Sequence, residues 1–237
     1  MPRGRGPVLR VYTDKASLDR AAASFIAEFL SQAYAARRAP VSLALPGGLT
    51  PQSLYALLAA PEFSTRVPWP EVEVFWTDER CVPPDHPDSN YGMVRHLLLS
   101  KVPLAEANIH RIQGDLGAAA AARDYDAQLR RLGRGCDVAL LGVGEDGHTA
   151  SLFPGTAALE ERNIWATSSE TPKGPRVTMT FPYLNLSENI LVLASGAAKS
   201  KVVAAAASGA AELYPVQRLR ARTPALWLVD QDAGAGL

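Results

Sequence analysis

Val41-Ser42-Leu43-Ala44-Leu45-Pro46-Gly47-Gly48-Leu49-Thr50-Pro51 begins as a short, mostly apolar run, breaks at a proline and two glycines, and ends on a threonine and a proline. The run has the length and character of a strand covered on both faces, as in a parallel sheet. Thr50 suits a helix N-cap and Pro51 the first helical position, so a helix is expected to open there and run to about residue 60. A strand handing over to a helix through a tight glycine turn is half of a βαβ unit.

The same alternation extends in both directions. Upstream, residues 15–38 place Leu18, Ala22, Phe25, Ile26, Phe29 and Ala33 at helical spacing, and Pro40 stops the helix. Downstream, strands are expected at 72–77, 109–112, 137–141, 163–167, 176–181, 190–194 and 226–229. Helices are expected at 89–101, 118–132, 197–207 and 215–221. This rhythm predicts an α/β fold with a largely parallel sheet flanked by helices. No Pro/Gly/Ser linker divides the chain, so one domain over 1–237 is expected, with flexible tails at 1–10 and 231–237.

Composition narrows the function classes. With 237 residues, 47% hydrophobic and 20% charged, the chain can build its own core without disulfides or metal. Twenty-four basic and 24 acidic residues cancel, which argues against a broad nucleic-acid face. Cys81 and Cys136 have no zinc or redox-motif spacing. No apolar run approaches a membrane span, and the basic start has no apolar signal core. A reduced cytoplasmic setting follows as the expectation.

In open parallel sheets ligands bind beyond the carboxyl ends of the strands, so loops after strands carry the interest. Gly47 and Gly48 admit close backbone approach, and the helix start at Thr50 offers free N–H groups to an anion; the same loop also reads as a plain tight turn. Asp78-Glu79-Arg80 follows a strand and reads either as solvated charge or as a carboxylate for sugar hydroxyls beside a cation for an oxyanion. Asp88-Ser89-Asn90 nearby can cap the next helix. Gly142, Gly144 and Gly147 match a dinucleotide fingerprint by spacing. Glu145 and Asp146 would put negative charge on the pyrophosphate, however, and Pro154-Gly155 cuts the following helix short. What remains is a loop presenting Asp146 and His148, a carboxylate and a base with a pKa near neutrality; alternatively His148 only packs or caps. His86, His96 and His110 lack such surroundings, and no histidine has metal-ligand spacing. Arg176 and Lys199, each unremarkable alone, are cations able to grip one phosphate together.

These residues, in this order, resemble the 6-phosphogluconolactonase family. The run Gly142–Pro154 carries the most specific match; Pro46–Pro51, Asp78–Arg80, Asp88–Asn90, Arg176–Thr180, Ser195–Lys199 and Trp227–Asp230 match in sequence. The resemblance implies a modified Rossmann-like α/β domain similar to the glucosamine-6-phosphate deaminase and ribose-5-phosphate isomerase group. It implies hydrolysis of 6-phospho-D-glucono-1,5-lactone to 6-phosphogluconate, with no cofactor. His148, Asp146, Arg80 and Asp78 would be catalytic, and Gly47, Gly48, Thr50, Arg176 and Lys199 would hold the phosphate. The expected partner is the small phosphosugar lactone, with no nucleic acid or membrane, on a monomer or small homo-oligomer. The family usually has serine where this chain has Pro46 and Leu49, which predicts weaker phosphate binding. Rival readings are an aminosugar-phosphate deaminase or isomerase, which would continue after the histidine with a glutamate-bearing segment absent here, and a non-catalytic sugar-phosphate sensor.

Overall fold

A computed structural model describes residues 6–209 and 213–237 of the chain. In chain order the principal elements are β1 (Val8–Tyr12), α1 (Lys15–Arg37), β2 (Val41–Leu45), α2 (Gln52–Ala59), α3 (Pro61–Ser64), β3 (Val72–Trp76) and β4 (Asp78–Arg80). Then come α4 (Asn90–Leu97), β5 (Ile109–His110), α5 (Ala118–Leu132), β6 (Val138–Gly142), β7 (Ala166–Thr171) and β8 (Gly174–Met179). The chain ends with α6 (Phe181–Leu184), β9 (Asn189–Ala194), α7 (Ser200–Ser208) and β10 (Leu226–Asp230).

Seven strands form one parallel sheet in the order β1-β10-β9-β6-β2-β3-β5. Every residue of β2 is buried, as its apolar run requires of a central strand. α1 packs on this sheet through Leu18, Ala22, Ala23, Ile26 and Leu30, all fully buried. Asp14 caps its first turn by accepting from Ser17 N at 2.7 Å, and Arg38 ends it in the left-handed region at φ 53°. Truncating a packed leucine here, such as Leu30→Ala, costs about 2–5 kcal/mol.

A second, antiparallel sheet has the order β4-β8-β7. It corrects several expectations. Residues 163–167 and 176–181 contribute to this sheet rather than to the parallel one, with strands at Ala166–Thr171 and Gly174–Met179. Asp78–Arg80, expected as loop, is strand β4. Its charges are tolerated because helix N–H groups, a hydroxyl and a guanidinium satisfy the carboxylates. The tails also need correction: Val8–Tyr12 pairs in register with Leu226–Asp230. Residues 231–237 fold into turns, with Ala233 fully buried and Gly234 N donating to Asp230 O at 2.9 Å. Residues 1–5 lie outside the described part. The helix expected from Thr50 begins at Gln52, and Thr50 makes no capping hydrogen bond. Residues 215–221 form only a 3-10 turn, Pro215–Arg218.

Candidate active site

The chain leaves β2 toward β3 and β5 on one side, and later returns to β6, β9 and β10 on the other. Connections therefore diverge between β2 and β6, and the carboxyl ends of these strands are where open parallel sheets take their ligands. The loop at 46–51 follows β2 there and the loop at 143–149 follows β6.

The second loop is folded on itself. Gly144 N donates to His148 O at 2.8 Å, Gly147 N to Gly144 O at 3.1 Å, and Thr149 Oγ1 to Gly142 O at 2.8 Å. A Cβ on Gly144 would lie 2.1 Å from His148 Nδ1 and 2.5 Å from Asp146 Oδ1. The space a dinucleotide fingerprint keeps for pyrophosphate is thus taken by the chain's own imidazole and carboxylate. Gly147 adopts φ +73°, a region a side chain rarely enters.

His148 Nδ1 and Asp146 Oδ1 are 2.6 Å apart, and His148 N donates to the same oxygen at 3.2 Å. Partial burial pushes the Asp146 carboxyl up, but its bonds to the His148 side chain and backbone more than offset this and hold it below the usual range. Asp146 is therefore an ionised acceptor at neutral pH, which assigns the ring proton to Nδ1 and leaves the Nε2 lone pair free. The imidazole stacks on Phe153 with centroids 3.9 Å apart and planes at 19°. The Arg176 guanidinium carbon lies 6.0 Å from the centroid of that same ring. Phe153 thus joins the imidazole to the guanidinium.

Arg176 sits on β8 with its side chain only 9% exposed, its Nη1 3.7 Å from Asp78 Oδ2. Burial lowers its pKa, Asp78 pulls it back up, and Arg80 pushes it down again. Asp78 also accepts from Ser151 Oγ at 2.6 Å, so it is a buried anchor under the cation. Arg80 pairs across the strands with Arg176, a juxtaposition of like charges that normally destabilises. The Nε atoms of both are buried without a hydrogen-bond partner, so two adjacent cations remain underused at the cleft. Arg80 Nη1 donates to Asp88 O at 2.5 Å.

Sequence reading missed the part played by Glu79. Its carboxylate accepts from Asn90 N at 2.8 Å and Tyr91 N at 2.7 Å at the start of α4, and from Ser89 Oγ at 3.2 Å. Burial pushes its carboxyl up, and the backbone N–H bonds only partly offset that. No sequence signal announces this role, because ten residues lie between Glu79 and Asn90, the first residue of α4. Ser89 itself caps α4 by accepting from Gly92 N at 3.0 Å. Asn90 Nδ2 donates to Asp78 O at 2.8 Å. A Cβ on Gly47 would meet Asn90 Oδ1 at 1.8 Å, so Gly47 lets the first loop close onto α4. Gly48 has φ +88° with open space beyond, and Leu49 is 84% exposed at the loop tip. Thr50 is half-buried beside them.

Lys199 follows β9 in the turn Ala197–Lys199. Asp230 fixes that turn's entry, accepting from Gly196 N at 3.0 Å and Ser195 Oγ at 2.5 Å. β9 neighbours β6, so Lys199 shares the carboxyl edge with His148. The other histidines stand apart: His86 beside Asp88, His96 on α4, and His110 stacked on Phe75 at 4.5 Å. Burial pushes the Cys136 thiol up to about 12 and raises that of Cys81, so neither is a thiolate at neutral pH. No cluster of metal-ligating side chains occurs among the described residues, and no described helix is long and apolar enough to cross a membrane.

An imidazole held by a carboxylate lies at the switch point of a parallel sheet, and Phe153 links it to the buried guanidinium of Arg176. Residues 13–227 match the family described as glucosamine-6-phosphate isomerases/6-phosphogluconolactonase, and the chain belongs to that family. It is 38% identical over 206 residues to a 6-phosphogluconolactonase of Nostoc sp., covering 83% of this chain and 84% of the relative. With the 6-phosphogluconolactonase of Rattus norvegicus it shares 35% over 240 residues, covering 95% and 92%. The solved 6-phosphogluconolactonase of Trypanosoma cruzi superposes with a TM-score of 0.89 at 27% identity, covering 99% and 98%.

Proposed function

We propose that this protein hydrolyses 6-phospho-D-glucono-1,5-lactone to 6-phosphogluconate, acting in the cytoplasm as a single domain on a small phosphosugar, without nucleic acid or membrane. One observation carries the reading. His148, with Nδ1 bound to Asp146 at 2.6 Å, leans on the same phenylalanine that Arg176 approaches. Base and cation therefore face one cleft.

In this mechanism Nε2 of His148 takes a proton from water as the water oxygen bonds to C1. Asp146 stabilises the resulting imidazolium. The C1 oxygen becomes an oxyanion, for which Arg80 supplies a charged donor. The C1–ring oxygen bond then breaks, and the proton on Nε2 passes to the departing ring oxygen, yielding the open-chain acid. Arg176, Lys199, Thr50 and the Gly47–Gly48 backbone hold the phosphate, whose remote binding energy orients the ring. Asp78 acts through Arg176 by fixing its guanidinium.

The test is turnover of freshly made lactone, followed as acid release above the spontaneous background. His148→Ala is expected to lower kcat by about 10²–10⁴-fold with KM little changed, and Arg176→Ala to raise KM first. Near-normal kcat in His148→Ala would end the base assignment. Ammonia release from glucosamine 6-phosphate would favour deaminase chemistry instead.

A further inference from the structure

Phe153 has no polar atom to offer the reaction, yet its position is unusual. It is an aromatic ring at the cleft with only 6% exposure. It carries the imidazole face to face at 3.9 Å, closer than the 4.5–7 Å common for ring pairs, with the guanidinium carbon of Arg176 6.0 Å from its centroid. The segment bearing it is fixed. Leu152 N donates to Thr149 O at 3.0 Å, and Ser151 N donates to Thr178 Oγ1 at 3.1 Å. Ala150 adopts a left-handed φ of 49° to make the turn. The chain thus accepts an uncommon backbone conformation in folding Phe153 back under His148.

From this geometry we infer that Phe153 is a positioning residue of the reaction, its ring setting the plane of the His148 imidazole and favouring the imidazolium formed once the base has taken its proton. The inference rests on His148 being the base. The physical ground is the ring's quadrupole: a negative face attracts a cation and is nearly indifferent to a neutral imidazole. Its benefit therefore arises as the proton transfers, which is where a contact must act to raise kcat rather than binding. Asp146 restrains the ring's torsion through one hydrogen bond at Nδ1, and the stacked Phe153 face adds a second restraint on its plane.

Among the described residues, the charged and titratable groups near the imidazole include Asp146 on its own loop, Arg176 on β8 with Asp78 and Arg80 of β4 behind it, and Tyr214 packed on Gly147. Replacing Phe153 changes none of their charges, so a pH effect reports the ring face itself.

The experiment compares Phe153→Leu with Phe153→Trp and Phe153→Tyr in the full chain, each checked for an unchanged circular dichroism spectrum. Phe153→Leu is expected to lower kcat by roughly three- to thirty-fold, the range a cation–π contact commands, with KM within about twofold of the parent. The acid limb of its kcat–pH profile should move to lower pH, because the imidazolium has lost support. Phe153→Trp or Phe153→Tyr, which keep a π face, should recover most of the loss and restore the limb. An unmoved limb in Phe153→Leu, or a tryptophan or tyrosine variant as impaired as the leucine one, overturns the inference. If Phe153→Leu does not fold, the tyrosine and tryptophan variants decide: a limb displaced in both refutes it. His148→Ala separates the two layers. Its inactivity together with an unaffected Phe153→Leu refutes the positioning alone, whereas an active His148→Ala removes the base and this inference with it.

Discussion

Asp78→Ala tests whether the cation over the cleft is held from beneath. The carboxylate and the Arg176 Nη1 are 3.7 Å apart, and both side chains are under a tenth exposed. At an effective dielectric of about 20 that separation gives an attraction of about 4.5 kcal/mol. Removing one partner leaves a buried guanidinium uncompensated, for which about 3–5 kcal/mol is usual. Ser151 Oγ also loses its acceptor, found at 2.6 Å, which adds about 1 kcal/mol. Urea unfolding is the assay. With an m value of about 3 kcal/mol per molar, the midpoint should fall by about 1.3–2 M, a loss of about 4–6 kcal/mol. The double variant Asp78→Ala/Arg176→Met, which removes the stranded charge, should recover a large part of this, a coupling of up to about 3 kcal/mol. A fall of under about 1 kcal/mol in Asp78→Ala, or a double variant less stable than the sum of the singles, would refute the buried-pair argument.

Leu49→Ser adds a hydroxyl at the exposed loop tip and should lower KM; one bond to a charged group is worth about 1.5–3 kcal/mol, and an unchanged KM shows that the phosphate does not reach the tip. Gly144→Ala places a Cβ where His148 Nδ1 and Asp146 Oδ1 now stand, so kcat should drop at least as far as in Asp146→Ala; wild-type turnover would contradict the packing. Asp230 is partly buried, which pushes its carboxyl up, but bonds from Ser195, Ala233 N and Gly196 N outweigh this and hold it below its ordinary value. It therefore contributes stability above its unfolded pKa of about 3.9 that is lost as pH falls through its lower folded value. The Tm gap between parent and Asp230→Asn should be widest near neutrality and close below about pH 4; a gap independent of pH would count against the bonds.

Much of this architecture was legible because central parallel strands are written as apolar runs: Val41–Leu45 and Leu226–Asp230 could hardly be anything else once glycine or proline bounded them. β4 was illegible for the opposite reason. Three consecutive charges read as solvent-facing loop, and only the fold reveals that Ser151, Arg176 and the start of α4 satisfy them. β1 escaped notice because a basic, glycine-rich start obscured its alternation; its partner strand lies more than 200 residues away, at Leu226–Asp230. Asp146 and His148 stood out because a carboxylate and an imidazole two residues apart on a glycine loop are chemically conspicuous. Phe153 and Ser151 did not, since an aromatic and a hydroxyl gain meaning here only from what they touch.

One residue, Thr77, joins β3 of the large sheet to β4 of the small one, with Thr77 N bonded to Leu45 O and Met179 N to Thr77 O. Ser151, three residues past His148, ties the imidazole's loop to the small sheet through Thr178 Oγ1 and Asp78, so imidazole and guanidinium are held together across the crossing at Thr77. Their spacing should therefore survive warming until the fold itself gives way, with the half-saturating lactone concentration steady up to the unfolding transition.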